Sequence, residues 1–177
     1  MDHSRKSHID ILDLESRRKI YDLVKQYAGC YMREIQRASG MSFGTVSYHL
    51  SYLQKHRLIR GEHDGNHLRY FPLTTEIHDE RILALLRQRP VRNILLSIMA
   101  HEGCSHQDIA SSVHLSPSTT TWHLKKLLES DIIRSEKRGK YNAYLLNVPK
   151  ESIMNLLIMF RESFLDSLVD GFLELWE

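Results

Sequence analysis

Slid along itself by 74 positions, the chain aligns residues 17–73 with residues 91–147 without a gap, and 15 of the 57 pairs are identical. Segments matched at random would agree at about 6% of positions given natural residue frequencies. The identities fall at positions that shape a small domain: Gly29/Gly103, Cys30/Cys104, Ser42/Ser116, His49/His123, Leu50/Leu124, Leu53/Leu127, Gly65/Gly139 and Tyr70/Tyr144. Conservative pairs extend the match, among them Tyr48/Trp122, Leu58/Ile132 and Met41/Leu115. Such a repeat restricts the chain to two copies of one unit. Each copy is small enough to bury only about 60% of the surface its unfolded form exposes, so it depends on a well-filled core. With 42% hydrophobic residues, four prolines and eight glycines, the composition supports one and excludes disordered, collagen-like and low-complexity chains.

Within each copy the apolar spacing reads helix, helix, turn, helix, hairpin. In the first, Ile20, Leu23, Val24 and Tyr27 recur at helical intervals until Gly29, and residues 32–38 form a second short helix around Ile35. Ser42 is the expected N-cap of a third helix, whose inward face is Val46, Leu50 and Leu53. The second copy places Ser116 at the cap and Pro117 at the first helical position, where the missing N–H has no cost. Short strands follow at residues 58–63 and 132–137, each returning through a glycine turn, Asp64-Gly65-Asn66 or Arg138-Gly139-Lys140. Three helices ending in a hairpin make a winged helix-turn-helix. The expected organisation is a mainly helical α+β protein: a first winged-helix domain at 1–73, a linking helix at 74–89, a second winged-helix domain at 90–147 and a packing or dimerisation helix at 148–177.

A helix-turn-helix presents its third helix to the major groove, and its hairpin wing lies against neighbouring phosphates or the minor groove. In the first copy the face opposite the core stripe is Phe43, Gly44, Ser47, Tyr48 and Ser51; in the second it is Ser118, Thr121, Trp122 and Lys125. Neither set holds an acid, whereas an ordinary solvated helix face mixes both signs. The first wing carries Arg60, His63, His67 and Arg69, and the second Arg134, Lys137, Arg138 and Lys140. Cations at a hairpin tip displace counterions from phosphate and make binding salt-dependent. Basic tips also keep edge strands from pairing, so the recurrence in both copies carries the reading. Gly44, Ser47 and Tyr48 are expected on bases, with Arg60, His67 and Arg69 on phosphates. Thr121, Trp122 and Lys125 are expected in the groove, supported by Arg134, Lys137, Arg138 and Lys140. If the linking helix aims them suitably, two such units reach successive major-groove faces about 34 Å apart. The alternative is that one copy binds and the other packs; the first copy is then the better binder by motif quality.

The segment GTVSYHLSYLQKHRLIRGEHDGNHLRYFPL, with Thr45-Val46, Tyr48-His49-Leu50, Leu53, Leu58-Ile59, Asp64-Gly65 and Arg69-Tyr70-Phe71-Pro72, resembles the recognition helix and wing of ArsR/MarR-type winged-helix regulators, particularly archaeal ones. TTTWHLKKLLESDIIRSEKRGKYNAYLL looks like a diverged version, and the resemblance covers about two thirds of the chain. It implies a sequence-specific DNA-binding transcription regulator, usually dimeric and often a repressor acting by promoter occlusion. The tandem arrangement departs from single-copy relatives, so their dimer geometry does not carry over simply.

Other constellations are weaker. His49 and His123 sit beside the core stripe, where a neutral imidazole bonds the preceding helix and a protonated one reaches a phosphate; both roles are open. Cys30 and Cys104 read as small buried side chains at a strand-like junction rather than redox switches. His101, Cys104 and His106 offer three ligand types within six residues, but a structural zinc site takes four ligands and the first copy has no matching histidines, so no metal or other cofactor is expected. Neither a glycine-rich phosphate loop nor a nucleophile elbow occurs, and no enzymatic activity is expected. Winged helices also pack on proteins, and an effector-controlled sensor is the other alternative. Two cysteines and an N-terminus without an apolar stretch point to a reducing cytoplasm.

The last segment, 149–176, reads as one helix. Ile153, Leu156, Leu157, Phe160, Phe164, Leu168, Phe172 and Leu175 form its stripe, and Met154, Ile158, Leu165, Val169 and Trp176 widen it. That breadth points to burial on two sides, one against the helix's own domain and one against a partner, and so to a homodimer. The net charge of +2 hides a polarity: residues 1–72 hold 12 Lys+Arg against 8 Asp+Glu, residues 90–147 hold 7 against 5, and residues 148–177 hold 2 against 6. Two mildly basic units are offset by an acidic terminal helix, a distribution suited to DNA on one side and a partner subunit on the other.

Overall fold

The computed structural model describes residues 11–160 and Phe164. Among the described residues there are eight helices and two three-stranded antiparallel sheets. The chain divides into two compact units, one up to Glu80 and the other from Arg81 on, and the division falls inside the helix at Ile77–Leu86.

The first unit runs α1 (Glu15–Gln26), β1 (Cys30–Tyr31), α2 (Met32–Ser39), α3 (Phe43–Lys55), β2 (Ile59–Asp64) and β3 (His67–Pro72), followed by α4 (Ile77–Leu86). Ile20 and Val24 of α1, Ile35 of α2 and Val46, Leu50 and Leu53 of α3 close one core with Leu58, Ile59 and Tyr70. Each of these aliphatic side chains contributes about 1.5–3 kcal/mol relative to exposure. Helix starts follow local chemistry. The Glu34 carboxylate accepts from the Tyr31 backbone N–H at 2.7 Å to open α2, and Ser42 Oγ accepts from Thr45 N–H at 3.2 Å to open α3. Gly40, at φ +70°, ends α2 in the left-handed conformation that glycine adopts without a Cβ penalty. The wing turns between Asp64 and His67, which pair directly.

The second unit repeats the order: α5 (Arg89–Ala100), β4 (Cys104–Ser105), α6 (His106–Val113), α7 (Pro117–Glu129), β5 (Ile133–Arg138) and β6 (Tyr141–Leu146), then α8 (Lys150–Met159). Correspondence at the 74-residue offset holds in backbone detail. Cys30 faces Tyr70 and Cys104 faces Tyr144 across the strands, and Gly29 N–H donates to Tyr70 O as Gly103 N–H does to Tyr144 O, both at 2.8 Å. Arg57 and Asp131 both take a positive φ, 55° and 58°, at the step from third helix to wing. The cysteines therefore stand on two-residue strands that complete each sheet, in the orders β1-β3-β2 and β4-β6-β5.

Helix α8 folds back within its own unit, where Lys150 Nζ donates to Met99 O at 3.1 Å and the Arg92 guanidinium stands over the Phe164 ring. Of the residues expected to face a partner subunit, Ile153, Phe160 and Phe164 are buried by the chain itself and Leu157 is half-buried, while Leu168 and Phe172 lie outside the described residues. The apolar side chains that α8 leaves in solvent are Met154, Ile158 and Met159, at 41%, 68% and 71% exposure.

Candidate nucleic-acid interface

The third helix of each unit, α3 and α7, turns its core stripe inward and leaves a polar and aromatic face in water. Tyr48 and Trp122, equivalent in the repeat, are 59% and 60% exposed, and Phe43 is exposed beside Tyr48. Gly44, Ser51, Ser118, Thr121 and Lys125 are also exposed, and Ser47 is half-buried. A Cβ at Gly44 would meet nothing within 4 Å, so the fold does not require glycine there although glycine costs a helix interior about 1 kcal/mol relative to alanine. A bare backbone at the start of the helix leaves room for a close-approaching partner. In the second unit the Thr121 hydroxyl donates to Pro117 O and meets His106 Nε2 at 2.9 Å, which fixes its orientation on the groove-facing side. Lys125 pairs loosely with Glu129 at 3.7 Å, an exposed i,i+4 contact of little energetic weight.

The two wings differ more than their sequences suggest. In the first, Arg69 is only 4% exposed: Nε donates to Asp64 Oδ2 at 2.8 Å, an Nη donates to Gly29 O at 2.9 Å, and the guanidinium lies 4.2 Å from the Tyr31 ring centroid. Tyr31 Oη donates to the same Asp64 oxygen at 2.7 Å. Burial and that carboxylate push the Tyr31 hydroxyl up, which keeps it a donor. Arg60 is likewise engaged, donating to the buried Glu80 carboxylate and to Thr75 O. Burial raises the Glu80 carboxyl against the pull of Arg60. Two arginines expected on phosphates thus hold the first wing to its own unit, leaving His63 and His67 as the exposed basic residues at that tip. His67 also packs edge-on to Tyr31, with ring centroids 5.8 Å apart.

In the second wing the tyrosine, aspartate and arginine positions of this network hold Ser105, Arg138 and Ala143. Lys137 and Lys140 are exposed, and Arg138 is half-exposed. Arg134 donates to Leu146 O and pairs with Glu136 at 3.2 Å. Arg138 reaches back over Gly103, where an added Cβ would stand 2.9 Å from its Nη1. Each unit therefore places a guanidinium over the same glycine, from β3 in one and from the end of β5 in the other.

Both repeat histidines are structural in geometry. His49 is 4% exposed and its Nε2 lies 3.0 Å from Ser16 Oγ of α1, while Nδ1 is buried without a partner among the described residues. His123 is also buried with an unpartnered Nδ1, and its repeat has Pro90 where the serine stands. Burial pushes both imidazoles below their ordinary range, with Arg17 adding to the effect at His49 and Lys126 at His123. Cys30 is buried, and burial raises the Cys104 thiol, which disfavours the reactive thiolate. No group of three or more His, Cys, Asp or Glu side chains among the described residues is placed to hold a metal ion. No helix among them is long and apolar enough to cross a membrane.

The pair that sequence reasoning missed is Arg33 and Arg37, both exposed on the outer face of α2, with Ile35 and Ser39 buried on the opposite side. Two arginines at i and i+4 were the available signal. In a helix-turn-helix this first helix crosses the DNA backbone.

A family model described as winged helix-turn-helix DNA-binding matches residues 91–134, which run from α5 into β5. An uncharacterized HTH-type transcriptional regulator of Methanocaldococcus jannaschii is 31% identical over 156 residues, an alignment too long to lie within either unit. That alignment takes in 84% of this chain but 38% of the archaeal protein, so the chain spans well under half the length of that relative. Among solved structures, reduced HlyU from Vibrio cholerae is 20% identical with a TM-score of 0.41, covering 48% of this chain and 86% of that one. The DIP2311 protein from Corynebacterium diphtheriae is 14% identical with a TM-score of 0.31, covering 74% and 26%. Element order, wing register and the matched family model agree: the chain carries winged helix-turn-helix structure in both of its units.

Proposed function

We infer that this chain is a DNA-binding transcription regulator, a tandem duplication of one winged helix of the ArsR/MarR type, that reads the major groove with α3 and α7. The observation that carries the reading is the pair Tyr48 and Trp122. Large aromatic side chains standing well over half in water at equivalent positions, on two acid-free helix faces, do nothing for the fold and suit a partner surface. Phe43, Gly44, Ser47 and Ser51 surround the first aromatic, and Ser118, Thr121 and Lys125 the second. Phosphate contacts come from exposed cations on the flanks of those helices. Repression by promoter occlusion and a cytoplasmic location are the readings that the family resemblance supports.

Self-association is part of the proposal. Met154, Ile158 and Met159 leave an apolar strip on α8, and a second copy of that strip is a suitable cover, since symmetric pairing buries like against like.

The test is fluorescence anisotropy of labelled random-sequence duplex titrated with the full chain at a low and a moderate salt concentration. Binding at low salt that weakens as salt rises is expected. Absence of any binding at low salt overturns the reading. Selection of bound fragments from genomic DNA then gives the operator, and a reporter placed behind it shows repression or its absence.

A further inference from the structure

The cations that sequence reading assigned to both wings alike are distributed unequally once the internal ion pairs are removed from the count. On the first unit the exposed arginines lie on α2, the helix ahead of the reading helix, as Arg33 and Arg37. Their repeat equivalents on α6 are Gln107 and Ser111. On the wings the pattern reverses: His63 and Asn66 of the first tip stand where Lys137 and Lys140 stand in the second. Asp64, its carboxylate still 38% exposed, sits at the first tip where Arg138 sits in the second.

Phosphate attracts fixed cations and is repelled by a carboxylate within about 10 Å at 0.1 M salt. The helix-turn-helix offers two flanks for backbone contact, the first helix on one side of the reading helix and the wing on the other. We propose that the two units hold duplex DNA by opposite flanks: the first by Arg33 and Arg37 on α2, the second by Lys137 and Lys140 on its wing. The first wing is then a rigid structural element, pinned by Asp64, Arg69 and Tyr31, and carries no fixed phosphate grip. This rests on the DNA-binding reading above and goes beyond it by assigning a different clamp to each copy, which reverses the expectation that the first wing and its arginines make the better grip.

The full chain tests it in anisotropy titrations over a salt series at slightly alkaline pH, where the slope of log affinity against log salt counts the phosphates neutralised. Arg33→Ala/Arg37→Ala and Lys137→Ala/Lys140→Ala are each expected to flatten the slope by about 2, roughly one per cation. The matched pairs His63→Ala/Asn66→Ala and Gln107→Ala/Ser111→Ala are expected to leave it unchanged. All eight side chains are exposed, so unfolding does not confound the series, and circular dichroism checks this. Arginines placed at Gln107 and Ser111 are expected to steepen the slope. A slope loss in the His63/Asn66 variant equal to that of the Lys137/Lys140 variant overturns the proposal, as does an unchanged slope in the Arg33/Arg37 variant. If the wild-type chain binds and the four alanine pairs behave alike, only this assignment fails. If the wild-type chain does not bind at low salt, the DNA reading fails with it.

Discussion

Replacing Arg69 by alanine separates a structural arginine from a DNA-binding one. Its guanidinium makes a charged bond to Asp64, a bond to the carbonyl of Gly29 and a stacked contact with Tyr31. Hydrogen bonds of charged groups contribute about 1.5–3 kcal/mol each, and a cation over an aromatic ring adds about 0.5–1. The Asp64 bond belongs at or below the bottom of that range because the carboxylate is 38% exposed and water replaces the lost partner. The buried Gly29 carbonyl has less access to replacement, so the expected loss for Arg69→Ala is about 2–4 kcal/mol, confined to the first unit. Trp122 and Trp176 both lie after Arg81, so tryptophan fluorescence follows the second unit in urea while far-ultraviolet circular dichroism follows both. The expected result is a circular dichroism transition at lower urea with an unmoved fluorescence transition. DNA affinity below the first transition is expected to stay within about twofold, and the salt slope to stay constant. A tenfold loss of affinity, about 1.4 kcal/mol, with unmoved unfolding would refute the reasoning and return Arg69 to the phosphates.

The exposed aromatics should behave in the opposite way: Tyr48→Ala and Trp122→Ala are each expected to weaken specific DNA binding by about 1–3 kcal/mol while leaving the urea midpoint in place. Stability that falls in step with affinity would argue against a contact role. Burial pushes His49 and His123 below the ordinary 6.5, so below that pH the unfolded chain binds protons that the folded chain refuses, and stability is lost as pH falls. The melting temperature is therefore expected to drop on acidification below about pH 6.5, and to drop less in a His49→Gln/His123→Gln variant; equal slopes would show that other groups set the acid response. Ile158→Glu places a charge in the centre of the exposed apolar strip of α8 and is expected to give monomers in sedimentation where the wild type self-associates. A wild-type chain that is already monomeric across that concentration range would remove the dimer from the proposal.

Most of the architecture was legible because it rests on local rules applied twice. Periodicity of 3.6, the caps Ser42 and Ser116, Pro117 at a helix start and glycine turns at the hairpin tips depend on neighbours a few residues away, and an offset of 74 let each copy check the other. The strands at Cys30 and Cys104 were visible only as junctions, since two residues show no alternation and their pairing partners lie 40 positions on, at Tyr70 and Tyr144. The groove-facing residues were also readable, being what remains on a helix once its core stripe is assigned.

By itself the sequence determined the two winged-helix units and the aromatic, acid-free faces of their reading helices, because both follow from local spacing. What only the tertiary structure decided is which charges are available. Arg60 and Arg69 counted as wing cations until Glu80, Asp64, Tyr31 and the carbonyl of Gly29 were brought around them. Arg33 and Arg37 acquired a role once α2 turned their face outward. Net charge is a sum over residues, whereas an electrostatic surface depends on which side chains have found a partner inside the fold. Those partners lie as many as 40 residues apart in the chain, where no local pattern records them.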